Sequence, residues 1–440
     1  MDSIQDALRV RFWGTRGSIA APGPGTVRYG GNTSCVEVRT ADGTLLVLDA
    51  GTGLRALGDA LLADDRGTRR GHILITHTHW DHIQGFPFCR PLFLGGWEWD
   101  VYAPRGFGRS LRDTLAGQMQ YTYFPVALDS LGAVLRYHDL VEGEFRIGDL
   151  RIVARYLNHP ALTLGYRIEA GGTVLVYATD HECFSPASAR LGKPLGALLG
   201  DADARERRHA EFVAGADLLI HDAQYTAAEY PERVGWGHST VEYVTRLAVE
   251  SGVRQLALFH HDPRRDDAEV DRLLASAQAW AREAGSDLRI TAAAEGETLT
   301  LRPGSRMLAP IGGQPAAMGS VATIEGRSAL IVGGDPALAT RLGGVAESEG
   351  LKVTWSPAPS AGQVEAQDWA IVLLLQDLDR GAAAFVDALR ARAGARDLPV
   401  IQVGEPPESS SDGRLTDHLA LPFSDEYART KVRAWLLRAG

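Results

Sequence analysis

The segment Ile75–Gly85, with the sequence ITHTHWDHIQG, places three histidines and one aspartate within six residues. Imidazole and carboxylate groups are the ligands that suit Zn²⁺, Mn²⁺ or Fe²⁺ at neutral pH. Alternate residues of an extended segment point the same way, so His77 and His79 can bind one ion. Asp81 and His82 follow one turn later and can face a second ion. A single histidine beside a strand is usually structural, but four ligands at H-x-H-x-D-H spacing predict a metal site.

Two ions need more ligands than four residues supply, and three downstream residues are candidates because each follows a strand-like run. They are His159 in LNHPA, Asp180 in YATDHE and His260 in LFHHDP. A carboxylate between two half-sites could bridge both ions, and Asp180 suits that role. His260 and His261 are adjacent, so only one is expected to point inward on an extended segment. The strand rhythm does not decide which of the two it is.

The order of these ligands along the chain resembles that of the metallo-β-lactamase superfamily, in its phosphodiesterase branch. That branch includes ribonuclease Z and phosphoribosyl 1,2-cyclic phosphate phosphodiesterase. Three further segments carry the resemblance: Arg11–Ser18 (RFWGTRGS), Gly30–Ser34 (GGNTS) and Leu48–Gly53 (LDAGTG). The resemblance covers about residues 8 to 300 of the 440.

This resemblance implies an α/β fold, namely an αββα metallo-β-lactamase sandwich with two divalent metal ions at the edges of its sheets. Zinc is the first expectation for both ions, with manganese or iron as alternatives. The resemblance also implies a division of the ligands: one ion on His77, His79 and His159, the other on Asp81, His82 and His260, and Asp180 bridging.

The segment Gly235–Thr240, GWGHST, precedes a helical pattern and resembles a His-Ser-Thr segment of the ribonuclease Z group. The resemblance makes His238 the residue that assists departure of the leaving group, and histidine titrates in a suitable range. The alternative is a capping contact at a helix start. Asp81, which would steer the nucleophile, is the other predicted catalytic residue. His221 in LIHDAQYT is expected to support the site without binding a metal.

The predicted reaction is hydrolysis of a phosphodiester by a hydroxide that two metal ions generate. The formal net charge of −10 argues against broad binding of nucleic acid or anionic membranes. The arm with which ribonuclease Z holds tRNA has no evident counterpart. The isolated Cys35, Cys89 and Cys183 cannot form the cysteine-rich zinc site of the phosphoribosyl enzyme. A small cyclic or linear phosphodiester is therefore the predicted substrate, with Arg16 and Arg28 as candidate phosphate contacts.

Two other functions stay open at this stage. One is a hydrolase of thioesters, lactones or lactams with the same fold. The other is a non-catalytic sensor or scaffold that binds metal and acts through a partner. A full ligand set argues against the scaffold, since structural metal sites usually lack an open position. With few cysteines, no secretory signal pattern and no apolar run long enough for a membrane helix, the expected location is the cytoplasm.

The elements that must position these residues are short apolar runs, typical of strands buried on both faces. We predict strands at Leu45–Asp49, His72–Thr76, Val174–Ala178, Asp217–His221 and Gln255–Phe259. Helical periodicity predicts helices at Val241–Glu250 and Ala268–Ala284, with Ser239 or Thr240 capping the first. We assign residues 1–305 to the hydrolase domain and the Gly/Pro/Ala-rich residues 306–326 to a linker.

Residues 327–440 alternate strands and helices and predict a small doubly wound, flavodoxin-like α/β domain. The predicted strands are Ala329–Val332, Trp369–Leu375 and Val400–Val403, and the predicted helices are Ala337–Ser348, Ala382–Ala393 and Glu426–Arg438.

This C-terminal part resembles the receiver domain of response regulators, with telling departures. The acidic Mg²⁺-binding pair falls at Gly333 and Gly334, the phosphoacceptor position falls near Leu373 or Leu374, and Leu421 replaces the lysine. The nearby Asp335 and Asp377 do not rebuild an octahedral Mg²⁺ site. The prediction is a pseudo-receiver that acts by docking a protein partner, by self-association or by regulating the hydrolase.

Overall fold

The computed structural model describes residues 8–64, 69–105, 110–184, 204–302, 326–360, 362, 368–375, 380–392, 398–404 and 415–438. Contacts divide the chain into two units, Met1–Met318 and Gly319–Gly440, and each is described by itself. The predicted linker, apart from Gly326, lies outside the described residues. Within the described part, no helix is long and apolar enough to cross a membrane.

The first unit contains two mixed sheets of seven strands, in the orders β14-β1-β2-β3-β4-β5-β6 and β13-β12-β11-β10-β9-β8-β7. The strands are β1 (Leu8–Gly14), β2 (Cys35–Thr40), β3 (Leu45–Leu48), β4 (Arg70–Leu74), β5 (Glu98–Pro104), β6 (Val134–Leu140), β7 (Gly143–Ile147), β8 (Leu150–Tyr156), β9 (Leu164–Ala170), β10 (Thr173–Ala178), β11 (Leu218–Asp222), β12 (Gln255–Phe259), β13 (Arg289–Ala292) and β14 (Thr298–Leu301). The described helices are α1 (Gly53–Ala63), α2 (Trp80–Ile83), α3 (Leu111–Gln118), α4 (Ala204–Val213), α5 (Val241–Glu250) and α6 (Asp267–Glu283).

Three hydrophobic clusters stack these elements into layers. The middle cluster lies between the sheets, because it joins side chains such as Phe12 of β1 and Tyr166 of β9. One outer cluster packs α1 and α3 on the first sheet, and the other packs α4, α5 and α6 on the second. The layers are therefore helices, sheet, sheet and helices. Central strands such as β10 are buried along their whole length because both of their faces are covered.

The carboxyl ends of the parallel strands position the predicted site. Strands β3 to β6 are parallel in the first sheet, and strands β10 to β13 are parallel in the second. His77 and His79 follow β4, Asp180 follows β10 and His260 follows β12. Carboxyl ends of parallel strands meet at one edge of a sheet, so each sheet brings its polar loops together there.

Helix boundaries agree well with the sequence. Helix α5 begins and ends at the predicted residues, and Thr240 rather than Ser239 caps it by accepting a hydrogen bond from the Tyr243 amide. The predicted strand His72–Thr76 is displaced, since β4 spans Arg70–Leu74. The reason is that Thr76 has left the strand ladder and its amide donates to Asp49 at 2.7 Å.

The second unit is a five-stranded parallel sheet in the order β16-β15-β17-β18-β19. Its strands are β15 (Ser328–Val332), β16 (Lys352–Ser356), β17 (Trp369–Leu374), β18 (Val400–Gly404) and β19 (Asp417–Ala420), and its described helices are α7 (Pro336–Ser348), α8 (Arg380–Arg390) and α9 (Asp425–Arg438). The order corresponds to 2-1-3-4-5, an order of doubly wound sheets. Apolar clusters cover both faces.

The position predicted for a phosphoacceptor carries core side chains, because Leu373 and Leu374 are fully buried in β17. Asp335 caps α7 by accepting hydrogen bonds from the amides of Ala337 and Leu338. Asp377 lies outside the described residues. The pseudo-receiver assignment stays a prediction.

Candidate metal centre

The first group of candidate ligands comprises His77, His79, His159 and Asp180, whose ligand-capable atoms lie within 4.8 Å of one another. The His159 Nε2 atom is 3.3 Å from His79 Nδ1 and 3.7 Å from Asp180 Oδ2. His77 Nε2 is 3.6 Å from the same Asp180 oxygen. His77 and His159 are buried, whereas His79 is exposed at the mouth of the group. The structure therefore brings together the three histidines that the family resemblance assigns to one ion.

The second group comprises Asp81, His82, Asp180 and His260, again within 4.8 Å. His82 Nε2 is 3.2 Å from both Asp81 Oδ2 and Asp180 Oδ1. His260 Nε2 is 3.2 Å from Asp81 Oδ2 and 3.1 Å from Asp180 Oδ1. Asp180 therefore directs one oxygen at each group, which is the arrangement expected of a bridging carboxylate.

His260, and not His261, joins this centre. The Nε2 atom of His261 donates to the Ala293 carbonyl at 3.0 Å, on the other side of the segment. Burial, which the Ala293 bond only partly offsets, lowers the pKa of His261 to about 3. Of the two histidines that the strand rhythm left open, His260 is the one that lies among the other candidate ligands.

Fixed hydrogen bonds orient the imidazoles, since in three of them Nδ1 donates away from the centre and leaves Nε2 to face it. His159 donates to the Gly237 carbonyl at 2.9 Å and His260 to the Gln224 side-chain oxygen at 3.2 Å. His82 donates to Asp49 Oδ2 at 2.8 Å.

Asp49 is itself held in place by several donors. It accepts from the amide and hydroxyl of Thr76 and from the Tyr177 hydroxyl at 2.8 Å. The sequence placed Asp49 in the LDAGTG segment but gave it no role. In the structure it fixes His82.

The donor set fits a pair of divalent cations. Among the described residues, the buried Nε2 atoms of His77 and His82 have no partner with the geometry of a hydrogen bond, although carboxylate oxygens lie 3.2 to 3.6 Å away. Burial lowers the pKa of His77 and of His159, which keeps both as neutral imidazoles, the form that binds a metal. Burial also opposes protonation of His82, but the charges of Asp81 and Asp180 outweigh it and raise its pKa. A cation placed there would replace that proton.

Backbone strain is concentrated at this centre. Among the described residues, the non-glycine residues with positive φ are Ser18, Asp49, Asp180 and His260, at 55° to 64°. Asp180 and His260 are candidate ligands, Asp49 holds His82, and the Ser18 amide donates to Asp81 Oδ2 at 2.7 Å. Each such conformation costs on the order of 1–3 kcal/mol and persists where the surroundings enforce it, often at functional sites.

His238 lies beside both groups. Its Nδ1 atom is 3.0 Å from Asp222 Oδ2 and 4.0 Å from Asp180 Oδ2, and its ring is stacked on that of His260. Burial opposes its protonation, but the charge and hydrogen bond of Asp222 outweigh burial and raise the pKa of His238 to about 9. The Asp222 carboxylate therefore favours the protonated form of His238. It does not cap α5, since Thr240 does.

Other sequence-based roles are resolved differently. His221 lies outside these two ligand groups, in a third cluster with His181 and His209. The suggested phosphate contact of Arg16 is wrong, because its buried guanidinium donates to the carbonyls of Gly30, Asp262 and Arg265 and ties these loops together. Arg28 pairs with Asp271.

Glu182 holds the loop that carries His238, a role that the sequence did not reveal. Its Oε1 atom accepts from the Tyr230 hydroxyl at 2.6 Å and the Gly235 amide at 2.8 Å. Its Oε2 atom accepts from the Gly237 amide at 2.8 Å. The Glu182 carboxyl group is buried, and these three hydrogen bonds compensate for its removal from water.

We expect Glu182→Gln to lower kcat by about 10- to 100-fold, the scale of losing a group that orients a metal ligand. An amide can accept on one side only, so its NH₂ group would face a donor on the other and displace the loop. Steady-state kinetics and metal content measure this effect. Glu232→Gln, at a side chain 84% exposed in the same segment, is the control and should behave as wild type. Equal behaviour of the two variants would contradict the role of Glu182.

Gly237 is required by close contact as well as by its conformation. A Cβ atom there would lie 2.2 Å from His159 Nδ1, at a backbone φ of +86°. We expect Gly237→Ala to displace His159 and to weaken metal binding, measured by titration with zinc after chelation. Gly235→Ala is a matched control, since its φ is +84° but its Cβ would contact nothing within 4 Å. If both variants weaken binding equally, backbone strain rather than the clash with His159 is responsible.

Comparison with known proteins finds relatives for the part of the chain that carries this centre. A family model described as a beta-lactamase superfamily domain matches residues 44–261, a range that contains all seven candidate ligands. The chain is 27% identical to ribonuclease Z of Synechococcus sp. (strain CC9311) over 307 residues, covering 62% of this chain and 94% of the relative. It is 27% identical to ribonuclease BN of Cronobacter sakazakii over 241 residues, covering 47% of this chain and 76% of the relative. A metallo-beta-lactamase fold protein of Bacillus subtilis, YhfI, aligns with a TM-score of 0.46 and 18% identity over 67% of this chain and 99% of its own.

Proposed function

We propose that this chain, whose residues 44–261 are a domain of the metallo-β-lactamase superfamily, is a dinuclear metal-dependent hydrolase that cleaves a phosphodiester. One observation carries the proposal: two groups of histidines and aspartates share Asp180, and a carboxylate-held His238 lies beside them. The names of the ribonuclease relatives support phosphodiester chemistry.

The residues divide into ligands and reacting groups. His77, His79 and His159 would hold one ion and Asp81, His82 and His260 the other, with Asp180 between them. When bound, two such ions lower the pKa of a water molecule and neutralise charge on the phosphoryl oxygens. Zinc fits the nitrogen-rich donor set best, with manganese or iron as alternatives.

Two side chains act on the reacting atoms in this proposal. Asp81 has one oxygen 3.2 Å from both His82 and His260, so it can orient the nucleophile at the centre. Asp222 outweighs burial and raises the pKa of His238 to about 9, which favours the protonated ring. His238 can therefore give a proton to the departing oxygen, which otherwise would leave as an unstable alkoxide.

The substrate we propose is a small cyclic or linear phosphodiester, because the net charge of −10 opposes a polyanionic partner. The test is hydrolysis of bis-p-nitrophenyl phosphate and of cyclic nucleotides by the metal-loaded chain, beside thioester, lactone and precursor-tRNA substrates. Turnover of the small phosphodiesters alone supports the proposal. Turnover of thioesters or lactones alone would replace it with the alternative hydrolase, and cleavage of the tRNA would overturn the choice of a small substrate. No turnover with two metals bound would favour the scaffold.

For residues 327–440 we retain the proposal of a pseudo-receiver that binds a protein partner or a second copy of the chain. It is supported by a doubly wound sheet order together with buried leucines where an acidic phosphoacceptor would stand. Light scattering of the full chain tests self-association, and a monomer at all concentrations would exclude it.

A further inference from the structure

We propose that the chain holds a third metal ion, apart from the pair described above, on the imidazoles of His181, His209 and His221. These residues come from three elements: the segment after β10, helix α4 and strand β11. All three are buried, at 0%, 5% and 0% exposed. Their ligand-capable nitrogens lie within 4.8 Å of one another, and none of the three belongs to the catalytic groups. The inference does not rest on the proposed function.

The spacing suits a metal ion bound by nitrogen. His209 Nε2 and His221 Nε2 are 3.1 Å apart. Two nitrogens bound to one tetrahedral zinc at the usual bond length are roughly 3.3 Å apart. The ring centroids of the cluster are separated by 3.8, 5.4 and 5.5 Å. The corresponding separations in His77, His79 and His159 are 4.4, 4.7 and 5.1 Å, so the two histidine clusters are similarly compact. The rings of His181 and His209 are stacked at an interplanar angle of 15°, so the His181 ring would have to turn for both to bind one ion.

The proton positions also favour coordination. The Nδ1 atom of His221 donates to the Asp222 carbonyl at 2.8 Å, so in the neutral ring Nε2 carries a lone pair and faces His209. A ligating histidine usually shows this pattern, with the far nitrogen donating to a carbonyl. Burial first, and then His221, lowers the pKa of His209, so that ring is neutral as well. The buried Asp222 follows His221 directly in sequence, and its charge can offset part of the charge of an ion.

The competing arrangement is a hydrogen-bonded cluster without an ion. In it, His209 donates a proton to His221 Nε2, while His181 accepts from the Asn158 amide at 3.2 Å and stacks on His209. In that arrangement, one hydrogen bond accounts for the short distance between the Nε2 atoms of His209 and His221. It gives no reason for a third imidazole, from a third element, to place a nitrogen at the same point. Coordination gives that reason, at the cost of the hydrogen bond from the Asn158 amide, because Nδ1 of His181 could no longer accept it whichever nitrogen bound the ion.

A metal there would have a structural role. Burial of all three ligands excludes a substrate, and a tetrahedral ion would leave one position that a water molecule can take. The ion would fasten α4 to the segment that carries Asp180 and to the strand that carries Asp222. Its free energy of binding would then contribute to the stability of the fold.

The test is the metal content of the full chain, purified with zinc and freed of loosely bound ions, together with anomalous diffraction at the zinc edge. We expect three ions per chain in wild type and an anomalous peak among the three histidines. His209→Gln keeps a hydrogen-bond donor toward His221 but removes an imidazole ligand. It should lose about one ion per chain and melt several degrees lower.

His138→Gln is the control, because His138 lies on β6 outside both clusters, and its metal content should equal that of wild type. An anomalous map of wild type with peaks at the catalytic pair and none among His181, His209 and His221 would overturn the proposal. So would an unchanged metal content in His209→Gln. If that variant does not fold, the wild-type map still decides. Failure of the catalytic proposal would leave the third peak unaffected, so the two outcomes are distinguishable.

Discussion

Asp180→Ala should abolish turnover and remove more than one ion from the catalytic centre. Asp180 is 2% exposed and directs Oδ1 at His82 and His260 and Oδ2 at His77 and His159, at 3.1 to 3.7 Å. Without it, two ions would lose their shared ligand and would repel one another across a short distance. We expect kcat to fall by at least about 10²- to 10³-fold, the scale of losing one electrostatic contact in an active site. Steady-state kinetics and zinc titration measure both effects.

The matched control for this prediction is Asp100→Ala. Asp100 is also a buried aspartate, 5% exposed, but it bonds to His138 and Arg70 on the first sheet. Its loss can lower the melting temperature yet should leave metal content and kcat close to wild type. Retention of two tightly bound ions in Asp180→Ala would contradict the bridging role. Circular dichroism establishes that both variants are folded, so a loss of activity is not a loss of structure.

Four of the seven candidate ligands could be predicted from local sequence. His77, His79, Asp81 and His82 lie within six residues, and an extended segment followed by a helical turn is enough to direct them at neighbouring points. His159, Asp180 and His260 are up to 183 residues away from His77, and no periodicity links them. Their places after strand-like runs made them candidates, but only the order of a known family assigned them to particular ions, because the contact between them is made by the parallel strand ends of two sheets.

The groups that orient the ligands could not be predicted in this way. Asp49 contacts His82, Asp222 contacts His238, and Glu182 contacts two amides of the loop before His238. An acidic residue at a strand end has many structural uses, so its partner is visible only after folding. The strained φ of Asp180 and His260 is likewise imposed by their surroundings. The role predicted for Arg16 failed because a Gly-rich loop suggests an exposed side chain. In the structure the surrounding loops enclose its guanidinium, which is fully buried.

Elements with local sequence signals were predicted better than elements that depend on distant parts of the chain. Helix α5 has its cap and its apolar periodicity within twelve residues, and its bounds were predicted correctly. Strands β16 and β19 were not predicted, because both lie at edges of the second sheet and β16 is largely exposed. An edge strand buries little, so its sequence does not carry the apolar run that marks a central strand.

His238→Ala should slow hydrolysis by an amount that depends on the leaving group. For a diester whose leaving group is an alkoxide, such as a cyclic nucleotide, we expect kcat to fall by about 10²- to 10⁴-fold, the usual worth of general acid catalysis. For p-nitrophenolate, which leaves readily without a proton, the loss should be much smaller. The protonated form of His238 that this requires is held by Asp222, which raises its pKa to about 9. Measuring kcat for both substrates with wild type and variant gives the comparison.

The substrate pair is its own control, because any general damage to the centre would slow both reactions equally. An equal loss on both substrates, or a loss of bound metal, would show that His238 supports the geometry of the centre and does not donate a proton. Asp222→Asn provides a second check. Asp222 contacts His238 but is not a member of either of the two ligand groups that contain Asp180. The kcat of Asp222→Asn should depend on the leaving group in the same way as that of His238→Ala, but less strongly. The amide no longer stabilises the charged imidazole, while the ring that donates the proton is still present.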